Sequence, residues 1–186
     1  MDKKIWKDTA VAAAALAIIA GGVTAALAGT NALTAGTIAA RNEETENQAR
    51  LQVIDADDFE KRTLAGDEGE EVVYYEALRD GETVGYVFTV STTGKSAGLT
   101  VMTGISADGK ITGVTVTDDN ETAGYVDKVK DGGLFEGFQD KAVPDGGFVL
   151  GEDVDGVSQA TKTSRGVTDG VNRAAAYYRQ IQKEAE

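Results

Sequence analysis

From Thr9 through Ala40 the chain carries no charged residue, and its first twenty positions, TAVAAAALAIIAGGVTAALA, are about as long as a helix that crosses a bilayer's hydrocarbon core. Such a run constrains the fold, because something apolar must cover it. Lys3, Lys4 and Lys7 precede it, and Trp6 stands where an interfacial anchor would lie. The positive-inside rule then leaves the N-terminus in the cytoplasm and sends the rest outside. Gly, Ala and Thr dominate the run, as they do where membrane helices pack together. Two alternatives stay open. A secretory signal could be cleaved after Ala26-Leu27-Ala28, which fits the small-x-small pattern. A buried core helix is the weaker alternative, since no polar face appears.

The rest of the chain is of another kind. Lys3, Lys4, Lys7 and Arg41 against Asp2 and Asp8 give the first 41 residues a net charge of +2; the whole chain is at −13, so residues 42–186 carry −15. A domain this acidic is repelled by nucleic acid and by anionic headgroups, so no nucleic-acid partner is expected. The 186 residues suit one anchor and one modest domain. There is no Cys and no His. That removes the thiolates of iron–sulfur clusters, the usual haem and zinc ligands, and the commonest nucleophile–base pairs. No metal site and no acid–base catalytic residue is expected. If the chain does redox chemistry, an organic cofactor must carry it.

Residues 41–50 (RNEETENQAR) read as a helix or linker leaving the membrane. Val72–Leu78 and Thr83–Val90 flank a turn containing Asp80-Gly81, and Leu99–Ile105 and Ile111–Thr117 flank one containing Asp108-Gly109. Each is a hairpin signal, so four antiparallel strands are expected. Gly132-Gly133 interrupts any long helix between Thr122 and Lys141, with Leu134, Phe135 and Phe138 as a small core cluster. Phe148-Val149-Leu150 is a short apolar run. Val167, Val171, Ala174 or Ala175, Tyr178 and Ile181 recur at helical spacing, with Thr163 or Ser164 as a cap. The reading is an α+β fold: a single N-terminal transmembrane helix, then an antiparallel sheet covered by a C-terminal helix. Its divisions are a cytoplasmic N-terminus (1–8), an anchor (9–30), a membrane exit and linker or helix (31–60), and an extracytoplasmic domain (61–186).

Just before that last helix stands Asp155-Gly156-Val157-Ser158-Gln159-Ala160-Thr161-Lys162-Thr163-Ser164-Arg165-Gly166. A loop of small and hydroxylated residues feeds a helix N-terminus here, where free amides and the helix dipole favour a phosphate. Lys162 and Arg165 add local positive charge. A plain Ser/Thr-rich capping loop would read the same way.

DGVSQAT resembles the flavinylation motif of the FMN-binding domain family, in which Asp leads into Ser-Gly-Ala-Thr and a flavin transferase joins FMN to the threonine as a phosphoester. Asp155 and Ser158 match the early positions and Ala160-Thr161 the ending, while Gln159 stands where the family usually has a small residue, often Gly. The resemblance implies one covalent FMN on Thr161, with Ser158, Ala160, Lys162, Thr163 and Ser164 around the phosphate. Thr30–Ala35 (TNALTA) is similar to the membrane exit of the G subunits of Rnf complexes. Val101–Val126 resembles those subunits' central hairpin and their Glu-Thr-Pro-Gly-Leu-Gly loop, here Glu121-Thr122-Ala123-Gly124-Tyr125-Val126. That loop lies near the flavin in the family, which nominates Glu121, Thr122 and Gly124. The C subunit of the sodium-translocating NADH:quinone reductase shares the architecture.

By this resemblance the chain is a relay in a complex that couples electron transfer between ferredoxin and NAD to ion movement. Its partners would be the other membrane and redox subunits, and no independent catalysis is expected of it. Two other readings remain: an anchored extracytoplasmic binding module without cofactor, and a stand-alone flavoprotein reductase.

Overall fold

One helix, α1 (Lys3–Val53), runs 51 residues without a break. It carries the uncharged stretch and the polar residues after it, so the membrane exit and linker read from sequence are helical as far as Val53. The computed structural model describes the backbone of residues 3–66, 69–95, 98–119, 121 and 123–185; the side chains of 3–12, 15, 31, 32, 34–42, 119 and 185 also lie outside the described set. The basic residues and Trp6 before the uncharged run are among these. The chain forms two units, Met1–Thr45 and Glu46–Glu186. In the first, Leu16, Ile18, Ile19, Val23, Leu27 and Leu33 are all exposed. Among the described residues no helix is long and apolar enough to cross a membrane. The transmembrane anchor therefore remains an expectation of the sequence.

The second unit is built on a five-stranded antiparallel meander: β1 (Asp58–Ala65), β2 (Glu71–Arg79), β3 (Glu82–Thr93), β4 (Gly98–Ser106) and β5 (Ile111–Asp119), adjacent in chain order. The two expected hairpins are β2–β3 and β4–β5. Asp80 and Gly81 both take positive φ (53° and 80°) between the paired Arg79 and Glu82, as a tight two-residue hairpin turn requires. The expectation of four strands is corrected by β1, which pairs with β2 from Asp58↔Leu78 to Ala65↔Glu71. β1 reads DFEKRTLA and buries only Leu64. Its charges suit a sheet edge and erase the apolar alternation by which a strand is recognised.

One face of the sheet is covered by α4 (Thr161–Ala185), whose Val167, Val171, Ala174 and Tyr178 join Phe88, Val101 and Ile105 in the main core. Contact is close because two helical positions are glycine. A Cβ on Gly170 would stand 2.7 Å from the Val101 Cβ, and one on Gly166 2.7 Å from the Thr93 carbonyl oxygen. Two short helices, α2 (Tyr125–Asp131) and α3 (Leu134–Phe138), are separated by Gly132-Gly133 as the sequence suggests, and bury Val129, Leu134, Phe135 and Phe138 in the same core. Phe148 belongs to no strand. Its N–H donates to Asn172 Oδ1 (2.6 Å) and its carbonyl accepts from Asn172 Nδ2 (2.9 Å), while its ring meets Phe138 edge-on at 5.2 Å. Asn172 thus gives an irregular segment the backbone partners that a neighbouring strand would supply.

The other face receives the last turns of α1. Val53 and Ile54 pack with Ala77, Val87 and Met102. Gly104 and Gly113 pair across β4 and β5 beneath Val53, and a Cβ on Gly104 would lie 2.4 Å from the Val53 carbonyl oxygen. Thr112 Oγ1 donates to that oxygen at 2.5 Å, satisfying a carbonyl the helix leaves free at its end. Arg50 is 3% exposed, stacked 3.6 Å from the Tyr75 ring centroid and paired with Glu46 at 2.7 Å.

Candidate functional site

Helix α4 starts at Thr161. The Ala160 carbonyl accepts the Ser164 N–H (2.9 Å), so Ala160 is the residue that opens the helix, and neither Thr163 nor Ser164 caps it. Both lie inside the first turn with their side chains buried. Ser164 Oγ accepts from the Val157 N–H (3.2 Å) and donates to the Ala160 carbonyl (3.1 Å). These bonds fold the 157–160 loop back onto the helix.

The consequence is the placement of Thr161. It is exposed at the first helical position, with exposed Lys162 beside it and exposed Ser158 in the loop before it. The N–H groups of Thr161, Lys162 and Thr163 precede the first helical bond, so the helix itself gives them no acceptor. They stand at the positive end of a 25-residue helix. A phosphate on the Thr161 hydroxyl fits this ground: free amides, a helix dipole, and the Lys162 and Arg165 side chains, both exposed. Thr163 can meet a phosphate through its backbone N–H only, and Ser164 not at all, because both hydroxyls face inward and the Ser164 N–H already donates to the Ala160 carbonyl.

Gln159 has φ 65°, one of three non-glycine residues with positive φ among those described. This is the left-handed region that glycine adopts without strain.

The second nominated stretch approaches the same helix turn. Thr163 Oγ1 points to Glu121 Oε2 at 3.5 Å, the long limit of a hydrogen bond. Glu121 also packs on the turn after β3, where a Cβ on Gly94 would fall 2.1 Å from Glu121 Oε1. Thr92 Oγ1 donates to the Gly166 carbonyl (2.9 Å), tying the end of β3 to α4. Gly124, at φ 82°, precedes α2 and is exposed; Thr122 lies outside the described residues. The fold therefore brings Glu121 to the first turn of α4, and Gly124 four residues short of Lys128 on α2.

Sequence reasoning missed Thr92, Gly94, Lys95 and Tyr125. Lys95 Nζ hydrogen-bonds the Tyr125 hydroxyl and lies 3.8 Å from its ring centroid, and Lys128 Nζ lies 5.0 Å from it. The hydrogen bond from Lys95, with its charge, lowers the Tyr125 pKa. Nothing in the local sequence pairs residues 95 and 125; the β4–β5 hairpin between them does so. A groove of about 400 Å³, lined by Leu51, Val53, Ile54, Arg79, Val84 and Thr112, lies at the end of α1, away from this cluster. Among the described residues no acidic cluster could hold a metal ion.

Residues 94–176, from the turn after β3 to the middle of α4, match the FMN-binding domain family. Over 96% of its length the chain is 34% identical to the G subunit of the Na(+)-translocating ferredoxin:NAD(+) oxidoreductase complex of Acetobacterium woodii, covering 95% of that protein. The chain belongs to the family of the G subunits of Rnf-type complexes. Its fold is similar to the crystal structure of NqrC from Shewanella oneidensis, with a TM-score of 0.50 over 72% of this chain and 73% of that one, at 21% identity.

Proposed function

We propose that the chain is an electron-transfer flavoprotein subunit of an Rnf-type complex, bearing one FMN as a phosphoester on Thr161. The observation that carries this reading is the exposed Thr161 hydroxyl at the opening of α4, within the stretch that matches the FMN-binding domain family. Its kinship with an Rnf G subunit supports the complex; the anchor, the extracytoplasmic location and the ion coupling follow from the sequence reading.

When bound, the flavin supplies the electron-accepting and electron-donating chemistry, which no side chain here can supply. The chain's own residues hold it. Thr161 is the acceptor for a flavin transferase, its exposure giving that enzyme access. The first-turn amides and Lys162 balance the phosphate's negative charge. Ala160 and Ser164 fix the turn that presents the threonine, and Glu121 approaches the same turn through Thr163. A tether makes a tight pocket unnecessary. The uncharged run of α1 holds the domain at the membrane beside the redox and membrane subunits that pass electrons to and from it. These subunits link ferredoxin and NAD to ion translocation.

Intact mass of the chain from its native host, with in-gel flavin fluorescence after denaturation, tests the attachment. A mass heavier by one FMN less one water, lost in Thr161→Ala, is expected. An unmodified, non-fluorescent chain sinks the covalent relay and leaves a binding module with the same fold.

A further inference from the structure

The sheet face on which α1 ends is only partly used by that helix. Its last turns cover the cross-strand row Tyr75, Val87, Gly104 and Gly113. Side chains alternate along a strand, so the next residues of the same face stand two or four positions further on: Thr63, Val73, Thr89, Ser91, Thr100 and Thr115. None of the six is charged, and Thr63, Val73, Thr89 and Ser91 are exposed. We propose that this patch docks a neighbouring subunit of the complex, one that presents an uncharged centre with basic residues around it. The inference rests on the chain being a subunit of an Rnf-type complex.

Charge carries the argument furthest. Residues 42–186 have a net charge of −15, yet the carboxylates nearest the patch on this face are Glu71 and Asp118, at the ends of their strands. An uncharged centre with charges at the rim is the anatomy of a protein interface, because a charge at the centre would have to give up its water. The acidic corners favour a partner that is basic there. The same charge argues against other occupants. A second copy would bring two strongly acidic domains together, and anionic headgroups would be repelled as well. Size agrees. With strands ~4.8 Å apart and same-face residues ~6.8 Å apart, the six positions cover on the order of 200 Å². A free-standing dimer needs about 800 Å² from each partner. So small a patch suits a partner to which the chain is already held elsewhere, since tethering raises the effective concentration. Kinship with a subunit of a complex supplies that setting.

Threonine also suits a solvated strand face through its β propensity alone, and crosslinking at defined positions separates the two. The full chain is produced together with its complex, carrying the photoreactive p-benzoylphenylalanine in place of Thr89. A control carries it in place of Glu136, which is exposed on α3 on the opposite side of the sheet. An unchanged thermal midpoint verifies folding in each. Irradiation is expected to join position 89 to another subunit, identified by the mass of the product, in a yield several-fold above that at position 136. Adding Ser91→Glu, two residues along the same face, is expected to cut that yield several-fold. No product at position 89, equal yields at the two positions, a yield that Ser91→Glu leaves unchanged, or a product made of two copies of this chain overturns the inference alone. A wild-type chain that copurifies with no other subunit overturns it together with the reading of the chain as part of a complex.

Discussion

Gln159 sits at φ 65° one residue before the one that opens α4. A left-handed conformation costs a non-glycine residue about 1–2 kcal/mol, whereas glycine adopts it freely but gives up about 0.5–1 kcal/mol of extra chain entropy on folding. The two terms nearly cancel for Gln159→Gly, which is expected to change stability by no more than about 1 kcal/mol. Gln159→Val combines the same φ with a branched Cβ and is expected to cost about 1–3 kcal/mol. Denaturant midpoints of the two variants check this, and a tolerated valine would show that the turn can relax. The loop-to-helix junction around Thr161 was legible because it is local: its residues are consecutive, and small and hydroxylated types suit a helix start. The role of Thr163 and Ser164 was not. A hydroxyl in the first turn can cap, face solvent or turn inward, and only the packing of the 157–160 loop decides that both are buried. The Lys95–Tyr125 contact was equally hidden, since thirty positions separate its partners.

Helix α4 sets two rules against each other at Gly170. In an exposed helix, Gly→Ala stabilises by about 1 kcal/mol. Here the added methyl would stand 2.7 Å from the Cβ of Val101, on a strand that cannot easily retreat. Overpacking of that kind costs about 1–3 kcal/mol, so Gly170→Ala is expected to lower the thermal midpoint. A raised midpoint would mean that the contact yields. The hairpins β2–β3 and β4–β5, the division between α2 and α3, and the apolar face of α4 could all be read from sequence because turn chemistry and periodicity agree there. Edge strand β1 could not, since four of its eight residues are charged and the rest give no alternation. The glycines beneath α1 and α4 were unreadable for a different reason: a close approach between elements leaves no periodic mark.

Across the whole domain, stability should bend at high pH. Tyr74, Tyr86 and Tyr178 are linked through Tyr86, at centroid distances of 6.2 and 5.9 Å, under α4. Partial burial, above all, raises each pKa; nearby Glu76 adds to it at Tyr74 and Tyr86, and Asp108 at Tyr178. The folded state therefore holds these protons more tightly than the unfolded chain. Stability from this source is complete below about pH 10, the unfolded tyrosine value, and is lost as pH rises through the raised folded values. Tyr125 shifts oppositely, but it faces solvent, where screening leaves such a term small. Unfolding midpoints followed from pH 8 to 11 should fall above pH 10, less steeply in Tyr86→Phe. A fall just as steep in that variant would assign the loss to other groups.

The meander joins each strand to its chain neighbour, so the sheet can form as it is made, but its main core stays open until α4 arrives. The residue proposed to accept FMN is the first residue of that last helix. If FMN is attached as proposed, flavin is for the cell's biogenesis machinery a certificate of completion. On that proposal, a chain truncated before α4, or one whose α4 has not docked on β3 and β4, is expected to offer no presented threonine and to stay colourless.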